Sequence, residues 1–186
     1  MTCERTLSIA VASEADAAEL AALRTDVADH LTRRYGQGHW SALVTERGER
    51  RSLKATRIIV ARDVASDASG APDGASAIVG TFRLGTKKPW AIDTAYFTDV
   101  ARPLYLTDMA VAPAQQRQGV GRRLIEEAKE AAAAWPADAL RLDAYDHAAG
   151  AGAFYAKCGF RQVGRVTYRG VPLLYFEWMV SRHTAR

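Results

Sequence analysis

At 186 residues the chain is long enough for one compact domain with a sizeable core and short for two. Hydrophobic residues at 48% and charged residues at 25% exclude a disordered or fibrous chain. The 25 Lys and Arg against 21 Asp and Glu leave a formal net charge of +4, too small and too evenly spread to indicate a nucleic-acid partner.

Cys3 and Cys158 are the two cysteines, far apart in sequence, and are expected as reduced thiols of a cytoplasmic protein. The start carries Glu4 and Arg5 ahead of a short apolar patch that Ser13, Glu14 and Asp16 break, so no signal peptide is expected there. No run approaches the roughly 20 apolar residues of a membrane span, and no membrane partner is expected. His30, His39, His147 and His183 have no metal-ligand spacing with one another or with the cysteines, so no metal is expected either.

In chain order, Leu7 to Ala12 reads as a first strand, and Ser13 then caps a helix with Asp16 at the capping-box offset. Leu20, Leu23, Val27 and Leu31 recur at three- and four-residue spacing, which places them on one buried face until Gly36 and Gly38 end the helix. A second helix is predicted from Trp40 to about Leu53, interrupted or bent near Gly48. Arg57 to Val64 and Ala77 to Leu84 are rich in β-branched residues and read as strands. The small, polar stretch Ala65 to Ser76 between them reads as a mobile hairpin loop. Residues 85–102 have no clean period, and their structure stays open.

Leu104 to Val111 is a buried-looking strand. A turn containing Pro113 follows, then a glycine pair and a helix from about Gly119 to Ala134, which Pro136 ends. Leu140 to Tyr145 alternates as a strand, and Gly150 to Cys158 leaves room for a short helix stopped by Gly159. Phe160 to Tyr168 and Val171 to Val180 close the chain as two strands joined at Arg169 and Gly170. The order gives an α/β protein of one domain over residues 1–186, with hairpins early and a strand, helix, strand crossover later. That crossover sets Leu104 to Val111 parallel to Leu140 to Tyr145. Neighbouring parallel strands offer a cleft at their carboxyl ends.

The sharpest motif is Gln116-Arg117-Gln118-Gly119-Val120-Gly121, between that strand and its helix. Gly119 and Gly121 let a ligand approach the backbone, and the amides at the helix start carry partial positive charge, so a pyrophosphate fits. Arg117, Arg122 and Arg123 add charge for a phosphate-rich ligand. The dinucleotide fingerprint is not met, since Leu124 stands at its third glycine, and no Gly-Lys-Ser/Thr follows for a Walker loop.

This segment resembles the pyrophosphate loop of the GNAT superfamily of N-acetyltransferases, [QR]-x-x-G-x-[GA] after a strand ending in an apolar-Val-x-Pro run, here Met109-Ala110-Val111-Ala112-Pro113. Downstream, Tyr155-Ala156-Lys157-Cys158-Gly159-Phe160 is similar to the family's Y-x-x-x-G-F segment. The likeness covers Leu104 to Val180 by motif and the first hundred residues through element order. It implies a GNAT-like, mixed but mainly antiparallel twisted sheet with a splayed parallel central strand pair and helices on both faces.

The resemblance also implies acetyl-CoA as co-substrate. Met109, Ala110 and Val111 would meet its pantetheine arm at a bulge, Gln116, Arg117, Gln118, Gly119, Val120, Gly121 and Arg122 would surround its pyrophosphate, and a backbone N–H near Met109 or Ala110 would stabilise the oxyanion. One position departs from the family, where Ala148 replaces an Asn often found seven residues before the tyrosine.

Tyr155 is then the general acid for the departing thiolate and Asp108 the candidate base, with Asp143, Asp146 and His147 as weaker candidates. Cys158 has no histidine at a recognisable offset and is not expected to be a nucleophile. Trp40, Trp90 and Tyr96 are candidate walls of an acceptor site for a small-molecule amine. A protein or peptide amine is the alternative acceptor, a non-catalytic acyl-CoA sensor is a further reading, and a homodimer is allowed.

Overall fold

A computed structural model of the chain describes residues 6–64 and 76–181. Of the expected loop Ala65 to Ser76, residues 65–75 lie outside the described residues, as do Cys3 and His183. The elements run β1 (Leu7–Val11), α1 (Ala17–Tyr35), α2 (Glu46–Ala55), β2 (Arg57–Asp63), β3 (Ile78–Gly85), β4 (Pro103–Val111), α3 (Val120–Ala134), β5 (Ala139–Tyr145), α4 (Gly152–Lys157), β6 (Arg161–Tyr168) and β7 (Val171–Met179), with short 3-10 turns between some of them.

The seven strands hydrogen-bond in the order β1-β2-β3-β4-β5-β7-β6. The sheet is mostly antiparallel, and β4 with β5 is its parallel pair. Their register joins Pro103, Leu104 and Tyr105 to Ala139, Leu140 and Arg141, while β4 runs on to Val111 and β5 to Tyr145. The α/β class and the parallel relation of these two strands are therefore as the crossover length dictates.

The chain divides into two compact units, one of residues up to Arg83 with Asp108–Leu124, the other of Leu84–Thr107 with the chain from Ile125 onward. In the first, Leu20 and Leu23 of α1 pack on Ile58 and Val60 of β2 and Ile78 of β3, with Val27, Leu53 and Ala112 at the edge. The Ser13 backbone N–H donates to the Asp16 carboxylate at 2.6 Å, so the expected Ser13 and Asp16 pair closes the 3-10 turn Glu14–Asp16 that leads into α1, rather than capping α1 itself. Gly36 ends the helix at a φ of 80°, its N–H donating to the Thr32 carbonyl.

The second helix departs from the sequence expectation. Trp40 lies in a separate 3-10 turn, His39–Ser41, and α2 begins only at Glu46. The reason is a cap. The Thr45 hydroxyl accepts from the Gly48 N–H at 3.2 Å, so Gly48 sits in the first turn of the helix rather than at a bend.

In the second unit, Ile92, Phe97, Tyr105, Leu173 and Tyr175 form the core cluster. Residues 85–102, which have no period, are held by anchors distant in sequence. The Tyr175 hydroxyl donates to the Ala91 carbonyl and accepts from the Asp93 N–H. Glu177, 1% exposed, accepts from the Thr98 hydroxyl at 2.6 Å and pairs with Arg141 at 3.1 Å and Arg161 at 3.2 Å. Arg141 also lies over the Phe97 ring, 4.9 Å from its centroid. The β6–β7 hairpin turns on Arg169 and Gly170 at φ 50° and 82°. Two consecutive left-handed residues form the tight turn whose twist matches paired strands.

Candidate active site

The strand end β4, the loop after it and the first turn of α3 lie in the same unit. Asp108 interrupts β4 with a φ of 53°, a left-handed conformation that costs a non-glycine residue of the order of 1 kcal/mol or more. Such a residue breaks the regular pleat of the strand, and it falls one position before Met109, Ala110 and Val111. Ala110 is buried, whereas Met109 and Val111 are half-buried.

Beyond Val111 the chain makes a 3-10 turn at Pro113–Gln115 and then exposes Gln116, Arg117, Gln118 and Gly119 in succession. Arg117 at φ 61° and Gly119 at φ 86° are both left-handed. A Cβ added at Gly119 would meet nothing within 4 Å, so this glycine is required by its φ and leaves open space above the backbone. The loop is held from below, where the Gln116 side chain donates to the Val111 carbonyl at 3.2 Å and that of Gln118 to the Ala114 carbonyl at 2.7 Å. The Arg123 N–H donates to the Gly119 carbonyl at 3.0 Å, which starts the helical ladder, and the amides ahead of it belong to the end of a helix that has no internal acceptors. Val120 is buried, whereas Arg122 is exposed.

Gly80 on β3 is a close-packing position that no sequence pattern marks. A Cβ there would stand 2.7 Å from Leu124 Cδ1, 3.2 Å from Val120 Cγ1 and 3.4 Å from the Ala110 carbonyl oxygen. The first turn of α3 therefore rests directly on the β3 backbone beside the end of β4, which sets the height of the loop.

Asp108 is also the meeting point of a charged cluster that sequence spacing does not reveal. Arg83 of β3 reaches its carboxylate at 2.9 Å and Arg24 of α1 at 3.5 Å, while Arg24 Nη2 donates to the Asp108 carbonyl at 2.9 Å. Glu49 of α2 accepts from Arg83 Nη2 at 2.8 Å on both of its oxygens and lies 3.4 Å from Arg24 Nε. These residues, with Leu43, Val44, Thr45, Gly48 and Ser52, line a cleft of about 250 Å³. Burial, the largest cause, lowers the pKa of Arg24 from its ordinary value, Arg83 adds to the fall, and Asp108 and Glu49 oppose it.

Tyr155 lies in the second unit, on α4, 6% exposed. Its ring packs against Phe154, Phe160 and Phe176 with centroids 5.4, 6.0 and 5.9 Å away. Burial pushes the phenol well above the usual tyrosine range, and Asp143 and Cys158 act in the same direction. Cys158 is buried in the turn after α4. Gly150, before α4, has no room for a Cβ because the Tyr145 carbonyl oxygen occupies that space.

Of the three candidate aromatic walls, Trp40 donates its indole N–H to the Gly36 carbonyl at 3.1 Å and meets Tyr35 edge-on, which ties it to the end of α1. Tyr96 meets Tyr175 edge-on at 5.6 Å and covers Gly164. Trp90 is 82% exposed. Asp108 is the one sequence-predicted site residue that lines the cleft. Among the described residues no group of His, Cys, Asp and Glu has metal-binding geometry, and no helix is long and apolar enough to cross a membrane.

Residues 55–162 match the sequence profile of the acetyltransferase (GNAT) domain. The chain therefore belongs to the GNAT acetyltransferase family. Its fold is shared by an N-acetyltransferase from Staphylococcus aureus Mu50 with a TM-score of 0.66 at 15% identity, covering 95% of this chain and 99% of that one. A putative acetyltransferase from Salmonella typhimurium, described with its cofactor acetyl-CoA, gives a TM-score of 0.63 at 17% identity, covering 96% of each chain. A putative phosphinothricin N-acetyltransferase gives 0.65 at 16% identity, covering 95% of this chain and 100% of that one. No curated protein matches the chain in sequence.

Proposed function

We propose that the protein is a cytoplasmic, acetyl-CoA-dependent N-acetyltransferase that acylates a primary amine of a small molecule by direct transfer. The observation that carries the reading is the coincidence, in a member of this family, of a left-handed residue at Asp108 in β4 with an open, left-handed Gly119 loop at the start of α3. The Salmonella neighbour described with acetyl-CoA supports the choice of co-substrate. The amides from Gln118 to Arg122, including those of Gly119, Val120 and Gly121, hold the pyrophosphate, and Arg117 and Arg122 add charge. Met109, Ala110 and Val111 meet the pantetheine arm, and a backbone N–H near Met109 or Ala110 polarises the thioester carbonyl.

In the reaction the amine nitrogen bonds to the carbonyl carbon and the carbon–sulfur bond breaks. The proton lost by the amine passes to Asp108, directly or through water, and the Tyr155 phenol protonates the departing thiolate. Burial of Tyr155 keeps the phenol in its donor form at every working pH.

The test is release of CoA thiol from acetyl-CoA with a panel of amines and peptides, alongside calorimetric binding of acetyl-CoA to the wild type and to Gly119→Asp and Gly121→Glu. The variants are expected to stay folded and lose binding, because each places a side chain and a negative charge against the pyrophosphate. Unchanged affinity in a folded variant refutes the loop assignment. Thiol release confined to peptides overturns the small-molecule acceptor, and a mass increase on Cys158 that Cys158→Ser abolishes overturns direct transfer.

A further inference from the structure

We infer that the cleft between α1, α2, β3 and Asp108 of β4 is a subsite for a zwitterion, and that the acceptor is a small amino acid whose carboxylate is read by Arg24 and Arg83 and whose amine is read by Asp108. The inference rests on the acetyltransfer reading for the fate of the amine, not for what the cleft binds.

The charges of the cleft cancel, with Arg24 and Arg83 against Glu49 and Asp108. A ligand with one net charge would leave an uncompensated charge beside the buried Arg24 and Glu49 side chains, whereas a zwitterion adds none. The four side chains are not equivalent. Glu49 is 3% exposed and both of its oxygens are taken by Arg83, so it serves the network. Asp108 is 46% exposed, and its carboxylate is the acidic group offered to a ligand.

The guanidinium groups have donor capacity left over. Arg83 Nε is buried without a hydrogen-bond acceptor among the described residues, on a side chain 15% exposed, while Arg24 Nε makes no hydrogen bond but faces Glu49 Oε1 at 3.4 Å. A buried donor without an acceptor is costly, and Arg83 Nε marks a place in the cluster where an acceptor is missing. A carboxylate is the acceptor that matches a guanidinium edge. Leu43, 87% exposed, and Val44 supply apolar surface for a side chain.

The experiment compares matched pairs on the full-length protein: L-leucine with 3-methylbutylamine, L-phenylalanine with 2-phenylethylamine, and L-serine with ethanolamine. Binding is read by calorimetry with CoA present, and turnover by thiol release from acetyl-CoA. In at least one pair the amino acid is expected to bind at least about tenfold more tightly and to show the same preference in kcat/KM, the discrimination of one charge-assisted hydrogen-bonded group. Equal or better handling of the decarboxylated amine in every pair overturns the subsite, as does failure of every amino acid to bind.

Amino-acid binding without thiol release from any amine would instead refute the transferase reading and leave the subsite standing. Arg24→Lys keeps the charge and loses the fork, and is expected to shrink the preference about tenfold. A preference unchanged in the folded variant removes Arg24 from the subsite, and if the variant does not fold, the wild-type pairs decide the matter alone.

Discussion

Replacing Tyr155 by Phe removes one oxygen and leaves the ring that packs against Phe154, Phe160 and Phe176. At neutral pH the stability should therefore change by no more than about 1 kcal/mol, the net worth of an ordinary hydrogen bond. Two larger effects are expected. If the phenol protonates the departing thiolate, kcat should fall by roughly 10²-fold to 10⁴-fold while acetyl-CoA affinity is kept, provided chemistry limits turnover.

The second effect comes from the raised pKa of the buried phenol, for which burial is the main cause. Below about pH 10 the phenol is protonated in both folded and unfolded chains, and its contribution to stability is constant. Above that, the unfolded chain releases the proton and the folded chain holds it, so stability falls as pH rises toward the folded value, by about 1.4 kcal/mol per pH unit. Tyr175, also raised by burial before any other cause, adds a slope of the same sign in both proteins. The difference between wild type and Tyr155→Phe therefore isolates Tyr155. Urea unfolding at pH 8 and pH 11, with kcat measured across pH, supplies both readings. Coincident kcat profiles would make Tyr155 a packing residue, and equal alkaline losses in the two proteins would refute its buried, protonated state.

Gly80→Val should destabilise the protein by about 1–3 kcal/mol, the cost of overpacking, and should also weaken acetyl-CoA binding, since its side chain would collide with Leu124 and Val120 at the first turn of α3. Unchanged affinity in calorimetry would mean that β3 does not set the height of the loop. Glu177→Leu leaves Arg141 buried without its partner and releases Thr98, so a loss of about 3–5 kcal/mol is expected in denaturant unfolding. A loss under 1 kcal/mol would show that residues 97–98 are held by the Phe97 ring contacts instead.

Local chemistry made much of this protein legible in its sequence. The α1 periodicity of Leu20, Leu23 and Val27, the Ser13 and Asp16 cap, the Arg169-Gly170 turn and the Gly119 loop are each written within a few neighbouring residues, because helix period, capping and left-handed φ are short-range properties. The parallel relation of β4 and β5 follows from the length of the crossover between them.

Tertiary structure decided what distant residues do together. Segment 85–102 has no pattern of its own, since its conformation is set by Tyr175 and Glu177, about eighty positions away. Trp40 could not be separated from α2 without knowing that Thr45 forms the cap. The Arg24, Glu49, Arg83 and Asp108 cluster joins two helices and two strands across 84 positions, and each member taken singly reads as a solvated charge. Sequence spacing encodes neighbours within a turn or a strand, whereas the convergence of Arg24, Glu49 and Arg83 on Asp108 is settled only when α1 and α2 come to rest on their unit of the fold.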